Sequence, residues 1–284
     1  MQRRFGAIHF VFTMRSLLAV TFVASLATLA FRHYREVNRR ELGAAASVAH
    51  LGGKANWEQY HRIPLIPRSR GCIAVDLQYS PAGEFDLGFL LSFPDLKHLN
   101  LGATTISDGH IEAVVAKMDS LEFLNVSGTQ ITDRGISFLH RCQRLETLRL
   151  TRTKVEGHGF KKVANLPHLS HIDADGAPFD NDALKWISTC RNLKQLRASS
   201  DNITDPGIGY LHAASRLEYL NLIGRFSDEG VAGLATLPRL QCVFLQSDRL
   251  TNESVHMFYS AHDFKAVEIS GANVSQRPFS GWVH

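Results

Sequence analysis

No cysteine of this sequence belongs to a CxxC pair. The four present, Cys72, Cys142, Cys190 and Cys242, are scattered along the chain, which excludes a zinc ribbon or a thioredoxin-like redox motif. A phosphate-cradling glycine loop is missing too, because Gly52-Gly53-Lys54 lacks the upstream glycine of a P-loop. No serine, cysteine or threonine stands in a recognisable motif with a histidine base and an orienting acid. The sequence therefore predicts no enzyme, no cofactor and no small-molecule substrate. Acidic charge is scarce at one end: the first 40 residues hold seven Arg and one Glu (+6), leaving 24 basic and 26 acidic groups (−2) for the remainder, which together give the net +4. That near-neutral remainder argues against a nucleic-acid surface. With 44% hydrophobic and 20% charged residues the chain has the apolar content of a packed protein rather than a disordered one.

What is present is a repeat. Leu121-Glu-Phe-Leu124-Asn-Val126 is followed by Thr129, by Ile131-Thr-Asp133-Arg-Gly135 and by a helical tail ending at Cys142, and this skeleton recurs on both sides. The first apolar position of each copy is Cys72, Leu96, Leu121, Leu145, Leu169, Leu193, Leu217, Leu240 and Phe264, at intervals of 23 to 25 residues. The fourth and sixth positions keep step, as in Leu99 and Leu101, Leu148 and Leu150, or Leu220 and Leu222. A fixed short period means stacked units, each burying its apolar face against its neighbours.

With LxxLxL, a turn and a return helix, the chain resembles the leucine-rich-repeat family, in the 24-residue class that carries the phrase ITDxG, seen here at 131–135 and 203–207. The resemblance implies an α/β solenoid: a parallel concave sheet of about nine strands with helices on the convex side. Each return segment then buries an apolar trio, such as Ile136, Leu139 and Cys142, or Leu184, Ile187 and Cys190, or Val255, Phe258 and Ala261. Cys142 and Cys190 become core filler two repeats apart, about 10 Å and beyond disulfide reach. Thr132-Asp133, Thr204-Asp205 and Ser227-Asp228 are placed to cap the helices, the hydroxyl binding free N–H groups and the acid favouring the dipole. The turn column Thr104, Thr129, Thr153, Ala177 never holds the Asn common in the family, so the backbone ladder needs another support. The ITDxG phrase is shared with repeats of F-box substrate receptors, although no F-box-like segment precedes the array here.

Phe5 to Phe31 is almost wholly apolar, broken by His9 and Arg15 and flanked by arginines; its charge-free core, Ser16 to Phe31, has sixteen residues. That is about 24 Å of helix against a hydrocarbon thickness of about 30 Å, and it reads as a signal anchor, with a cleaved signal peptide as the competing view. Arginine on both flanks leaves orientation open by charge alone. Phe12-Thr-Met-Arg15-Ser-Leu-Leu18 and the Arg-rich segment after it resemble the N-terminus of membrane-anchored repeat proteins of planctomycete bacteria, which implies a single-pass membrane protein with extracytoplasmic repeats. From His33 to Leu51 the apolar positions Val37, Ala44, Val48 and Leu51 suit an amphipathic helix stopped by Gly52-Gly53. Trp57 and Tyr60 then read as packing residues of an N-terminal cap. The expected division is a basic tail at 1–15, an anchor at 16–32, a juxtamembrane helix and cap at 33–71, repeats at 72–274 and a C-terminal cap at 275–284.

In such a sheet the third and fifth residues of each strand face outward. The third positions include His98, Phe123, Thr147, His171, Gln195, Tyr219 and Cys242; the fifth include Asn100, Asn125, Arg149, Asp173, Arg197, Asn221 and Phe244. Aromatic side chains mixed with Arg and Asp are the residue types that dominate binding hot spots. The candidate ligand-binding residues are therefore His98, Phe123, Asn125, Arg149, His171, Asp173, Arg197, Tyr219 and Phe244, against the plainer view of a solvated, uncommitted surface. His171, Asp173 and Asp175 alternate along one strand and suit a divalent ion, but Arg149 and Arg197 flank Asp173 and predict a charge ladder without metal. Sequons at Asn125, Asn202, Asn252 and Asn273 matter only in a eukaryotic secretory pathway. The expected function is a membrane-anchored module that binds an unidentified protein ligand on its concave face. The alternatives are an envelope spacer without a specific ligand and an F-box-like substrate receptor.

Overall fold

The computed structural model describes the backbone of residues 14–60, 69–261 and 264–274, and the side chains of 21–57, 71–261 and 264–274. The expected C-terminal cap, 275–284, and the side chain of Tyr60 lie outside the described residues.

A helix, α1 (Met14–His50), and a strand, β1 (Lys54–Tyr60), precede the repeats. The repeat strands follow as β2 (Ser69–Asp76), β3 (His98–Asn100), β4 (Phe123–Asn125), β5 (Thr147–Arg149), β6 (His171–Ala174), β7 (Gln195–Thr204), β8 (Tyr219–Arg225), β9 (Cys242–Gln246) and β10 (Ala266–Ser270). Between them run short helices, α2 (Asp108–Ala113), α3 (Asp133–Phe138), α4 (Phe160–Val163), α5 (Asn181–Ser188), α6 (Asp205–Tyr210), α7 (Asp228–Val231) and α8 (Asn252–Ala261), several continued by a 3₁₀ turn. The ten strands form one sheet in chain order: β2 to β10 are parallel and β1 closes the N-terminal edge antiparallel to β2.

The period becomes register here. Leu99, Leu124, Leu148, Ile172, Leu196, Leu220, Val243 and Val267 pair strand to strand along the sheet, and all are buried. Behind them the return segments bury Ile136, Leu139 and Cys142, Leu184, Ile187 and Cys190, and their equivalents. Phe160 and Phe179 meet edge to face at 5.6 Å in this layer. Truncating one central leucine, Leu148→Ala, would cost about 2–5 kcal/mol through lost burial and the cavity left behind. The last repeat departs from the expected trio. Phe258 is buried, but Val255 is half-buried and Ala261 exposed, because Ser254 turns inward at the start of α8.

The ITDxG phrase has a physical explanation that periodicity does not provide. Its acid reaches forward to the next repeat: Asp108 accepts the Thr132 N–H at 2.9 Å and the Thr132 hydroxyl at 2.6 Å, Asp205 does the same for Ser227 at 2.7 and 2.9 Å, and Asp228 for Thr251 at 3.0 and 2.6 Å. Asn181 joins Thr204 twice as well, its Oδ1 accepting the Thr204 N–H at 2.9 Å but its amide donating to the Thr204 hydroxyl at 2.7 Å. The glycine of the phrase makes room for that acid, since a Cβ on Gly207 would fall 2.3 Å from Asn181 Oδ1 and one on Gly230 2.1 Å from Asp205 Oδ1. These links, made by three aspartates and one asparagine, tie successive repeats together where the family's Asn ladder is missing. The helix caps differ from the expectation: the Thr132 hydroxyl donates to Asp108 and also accepts from the Arg134 N–H, whereas Thr204 and Ser227 cap no N–H with their side chains. In the turn column the hydroxyls of Thr104, Thr129 and Thr153 each donate to the carbonyl three residues earlier, at 2.6, 2.5 and 2.7 Å, and all three residues are buried.

α1 is continuous across the expected boundary between anchor and juxtamembrane helix, 37 residues or about 55 Å. Its C-terminal part packs on the repeats through Glu41, Ala44 and Val48, followed by Leu51; Val37 is half-buried. The chain leaves it at Gly52, whose φ of 77° is the left-handed conformation that ends helices. Trp57 covers the first layer, edge to face with Phe93 at 6.3 Å. In the N-terminal part Phe22, Val23, Leu26, Leu29 and Phe31 are exposed. Among the described residues no helix is long and apolar enough to cross a membrane. The expected anchor begins at residue 16, and the side chains of 16–20 lie outside the described residues.

Candidate protein-binding face

Strand pairing places the predicted outward residues side by side. His98, Phe123, Thr147, His171, Gln195, Tyr219 and Cys242 form one row across β3 to β9, and Asn100, Asn125, Arg149, Asp173, Arg197, Asn221 and Phe244 form the next. Two aromatic clusters result. The His98 and Phe123 rings meet edge to face at 5.9 Å, and the Arg149 guanidinium lies over the Phe123 ring, 5.4 Å from its centroid. Tyr219 and Phe244 meet at 5.5 Å. Four strand spacings, about 19 Å, separate β4 from β8.

Between the clusters stand His171, Asp173 and Arg197. Ser170 Oγ lies 2.8 Å from His171 Nδ1. Burial lowers the His171 pKa, Lys194 adds to the shift, and Glu146 and Glu218 only partly offset it.

The expected Arg149–Asp173–Arg197 ladder is in register but is not an ion-pair ladder. Asp173 instead accepts the Thr151 hydroxyl at 3.2 Å and its own downstream Asp175 N–H at 3.4 Å. The same turn-closing bond recurs at Asp76, Asn100 and Asn125, each accepting the N–H two residues on. A short polar side chain at a strand end satisfies the turn backbone first, and an exposed arginine gains little by competing for it. Among the described residues neither Arg149 nor Arg197 forms an ion pair, so both guanidinium groups stay available. His171, Asp173 and Asp175 do not converge either: among the described residues no group of three His, Cys, Asp or Glu is placed to hold a metal ion.

Asn125 leaves the candidate set on geometry. It is 8% exposed, its amide donates to Asn100 Oδ1 at 2.9 Å and its carbonyl holds the Ser127 N–H at 3.0 Å. Asn100 in turn donates to Gln78 at 3.2 Å, making an amide ladder across the first repeats. Asn at the fifth position of consecutive strands was the available signal for it. The remaining eight predicted residues lie on the concave face, half-buried or exposed. The thiols of Cys142 and Cys190 are pushed up to about 12 by burial, and that of Cys72 to about 11 by burial with the nearby Glu41 adding to the shift, so these three carry no thiolate chemistry.

A parallel concave sheet backed by short helices at a 24-residue period, with its polar face open, defines a leucine-rich-repeat solenoid. Among solved structures the chain superposes on internalin C2 of Listeria monocytogenes with a TM-score of 0.56, at 19% identity over 71% of this chain and 80% of that one. It superposes on the internalin inlF of the same bacterium with a TM-score of 0.50, at 18% identity over 67% of this chain and 59% of that one. The likeness is one of fold. No protein-family model and no curated protein matches the sequence.

Proposed function

We propose that the chain is a membrane-anchored leucine-rich-repeat module that binds a protein ligand on its concave face. The observation that carries this reading is the pair of aromatic clusters, His98–Phe123 and Tyr219–Phe244, set on either side of Arg149 and Arg197, which form no ion pair among the described residues. Tyrosine and arginine are enriched among the few residues that carry most of the binding energy at protein interfaces. The anchor reading is supported by the exposed apolar side chains of α1 from Phe22 to Phe31, which favour burial in hydrocarbon over contact with water.

A photoreactive amino acid at position 219 tests the binding reading. Irradiation in native membranes is expected to crosslink one discrete protein from position 219 and none from position 210 on the convex side. Equal patterns from both positions would count against the concave face.

A further inference from the structure

We propose that the edge of the solenoid leading into β5 to β9 lies against an anionic lipid surface. The proposal adds a second membrane contact to the anchor reading and rests partly on it. The loops 140–144, 164–168, 188–192, 212–216 and 235–239 contain no Asp or Glu, and they expose Arg141, Arg144, Arg191, Arg216 and Arg239. None of these arginines is in an ion pair among the described residues; Arg216 is hydrogen-bonded to the Asn192 side chain. Because strands stack about 4.8 Å apart, Arg144 and Arg239 mark the ends of a row about 19 Å long.

The neighbourhood of this row fits headgroups. A cavity of about 310 Å³ lies between Arg191 and Arg216, lined also by Ser188, Thr189, Cys190, Ala213, Ala214 and Ser215; the Ser188 and Thr189 hydroxyls donate to the Lys185 and Trp186 carbonyls, so the two guanidinium groups are what it offers to a phosphodiester. Next to it, the Lys185 ammonium lies 5.4 Å from the Trp186 ring centroid and 5.8 Å from that of Tyr210, while Lys161 lies 5.4 Å from Trp186. Trp and Tyr flanked by Lys and Arg are the residue types favoured at the level of bilayer headgroups. The opposite edge carries the acids Asp108, Asp133, Asp205 and Asp228, which gives the solenoid a charge axis that orients the basic edge toward an anionic plane. The exposed apolar stretch of α1 brings the same chain to a bilayer.

The test uses the full chain with phosphatidylcholine vesicles and with equimolar phosphatidylcholine–phosphatidylserine vesicles, reading flotation and amide-hydrogen exchange of residues 186–216. Protection of 186–216 on the anionic vesicles alone, lost in Arg144→Ala/Arg191→Ala/Arg216→Ala/Arg239→Ala and kept in the matching Arg→Lys variant, is the expected result. Each arginine contributes about fivefold to partitioning, so the anionic preference of the Ala variant should fall by several hundredfold. Flotation with both vesicle types but no lipid-dependent protection overturns the edge contact while leaving the anchor standing. Flotation only with anionic vesicles, in an arginine-dependent way, supports the edge and removes the anchor. Retention on duplex DNA instead of anionic vesicles, with the same arginine dependence, overturns the lipid assignment.

Discussion

Asp108 and Thr132 stand 24 residues apart and are joined twice, the Asp108 carboxylate accepting both the backbone N–H and the hydroxyl of Thr132. Hydrogen bonds to a charged acceptor are the stronger kind, and removing the acceptor leaves two donors unpaired. Asp108→Ala is therefore expected to lower stability by about 1.5–3 kcal/mol, read as a drop in the urea midpoint at unchanged slope. Glu112→Ala, which breaks only the exposed 3.4 Å ion pair with Arg134, should change stability by less than about 1 kcal/mol.

The glycine after each such acid is a space requirement. Gly230→Ala places a methyl 2.1 Å from Asp205 Oδ1 and is expected to cost about 1–3 kcal/mol by overpacking. Combined with Asp205→Ala the two effects should be less than additive, because removing the carboxylate empties the space the methyl needs; full additivity in a denaturation cycle would refute the steric origin. One repeat already shows the exchange: where Gly157 occupies the acid's position, the next repeat holds Ala183 in place of glycine.

The Asp228 carboxyl, which burial alone would raise, is held below its ordinary value by hydrogen bonds from Thr251 and Ser254. A carboxyl whose pKa is lower in the folded than in the unfolded chain stabilises the fold above the unfolded value of 3.8, and that contribution is lost as the pH falls through the lower folded value. Asp228→Asn should flatten the acid limb of the stability–pH curve in urea melts. An unchanged acid limb would assign that dependence to other groups.

Cys72, Cys142 and Cys190 are buried and Cys242 is half-buried on the concave face. In the native protein a water-soluble thiol reagent is expected to modify Cys242 alone, with the other three reacting only after unfolding. Rapid native labelling of Cys142 would contradict its place in the core.

Register was legible in the sequence because the side-chain period of a strand and the 24-residue repeat leave one alignment that buries Leu124, Leu148 and Leu196 together. The residues beside Asp173 were legible for the same reason, but its bonding was not. Both Arg149 and the Asp175 N–H are within reach of that carboxylate by spacing, and only three-dimensional turn geometry selects the backbone. The burial of Asn125 is hidden from the sequence for a similar reason: alternation gives the face on which a side chain starts, not the neighbour that buries it. The forward reach of Asp108 lay beyond any pattern within a single repeat. It is visible only when Thr132 and Gly135 of the next unit are considered with it, since one receives the carboxylate and the other makes way for it.

The concave-face reading is tested most directly by comparing native-membrane proteins captured by the wild type and by Arg149→Ala/Arg197→Ala/Tyr219→Ala. Arg149 and Arg197 are exposed and form no ion pair among the described residues, Arg149 resting only on the Phe123 ring, and Tyr219 touches Phe244 at the surface, so the variant should retain most of the urea stability of the wild type. The prediction is one ligand present with the wild type and reduced at least tenfold with the triple variant, a loss of about 1.4 kcal/mol or more. The same ligand recovered at the same yield from a folded triple variant would contradict it.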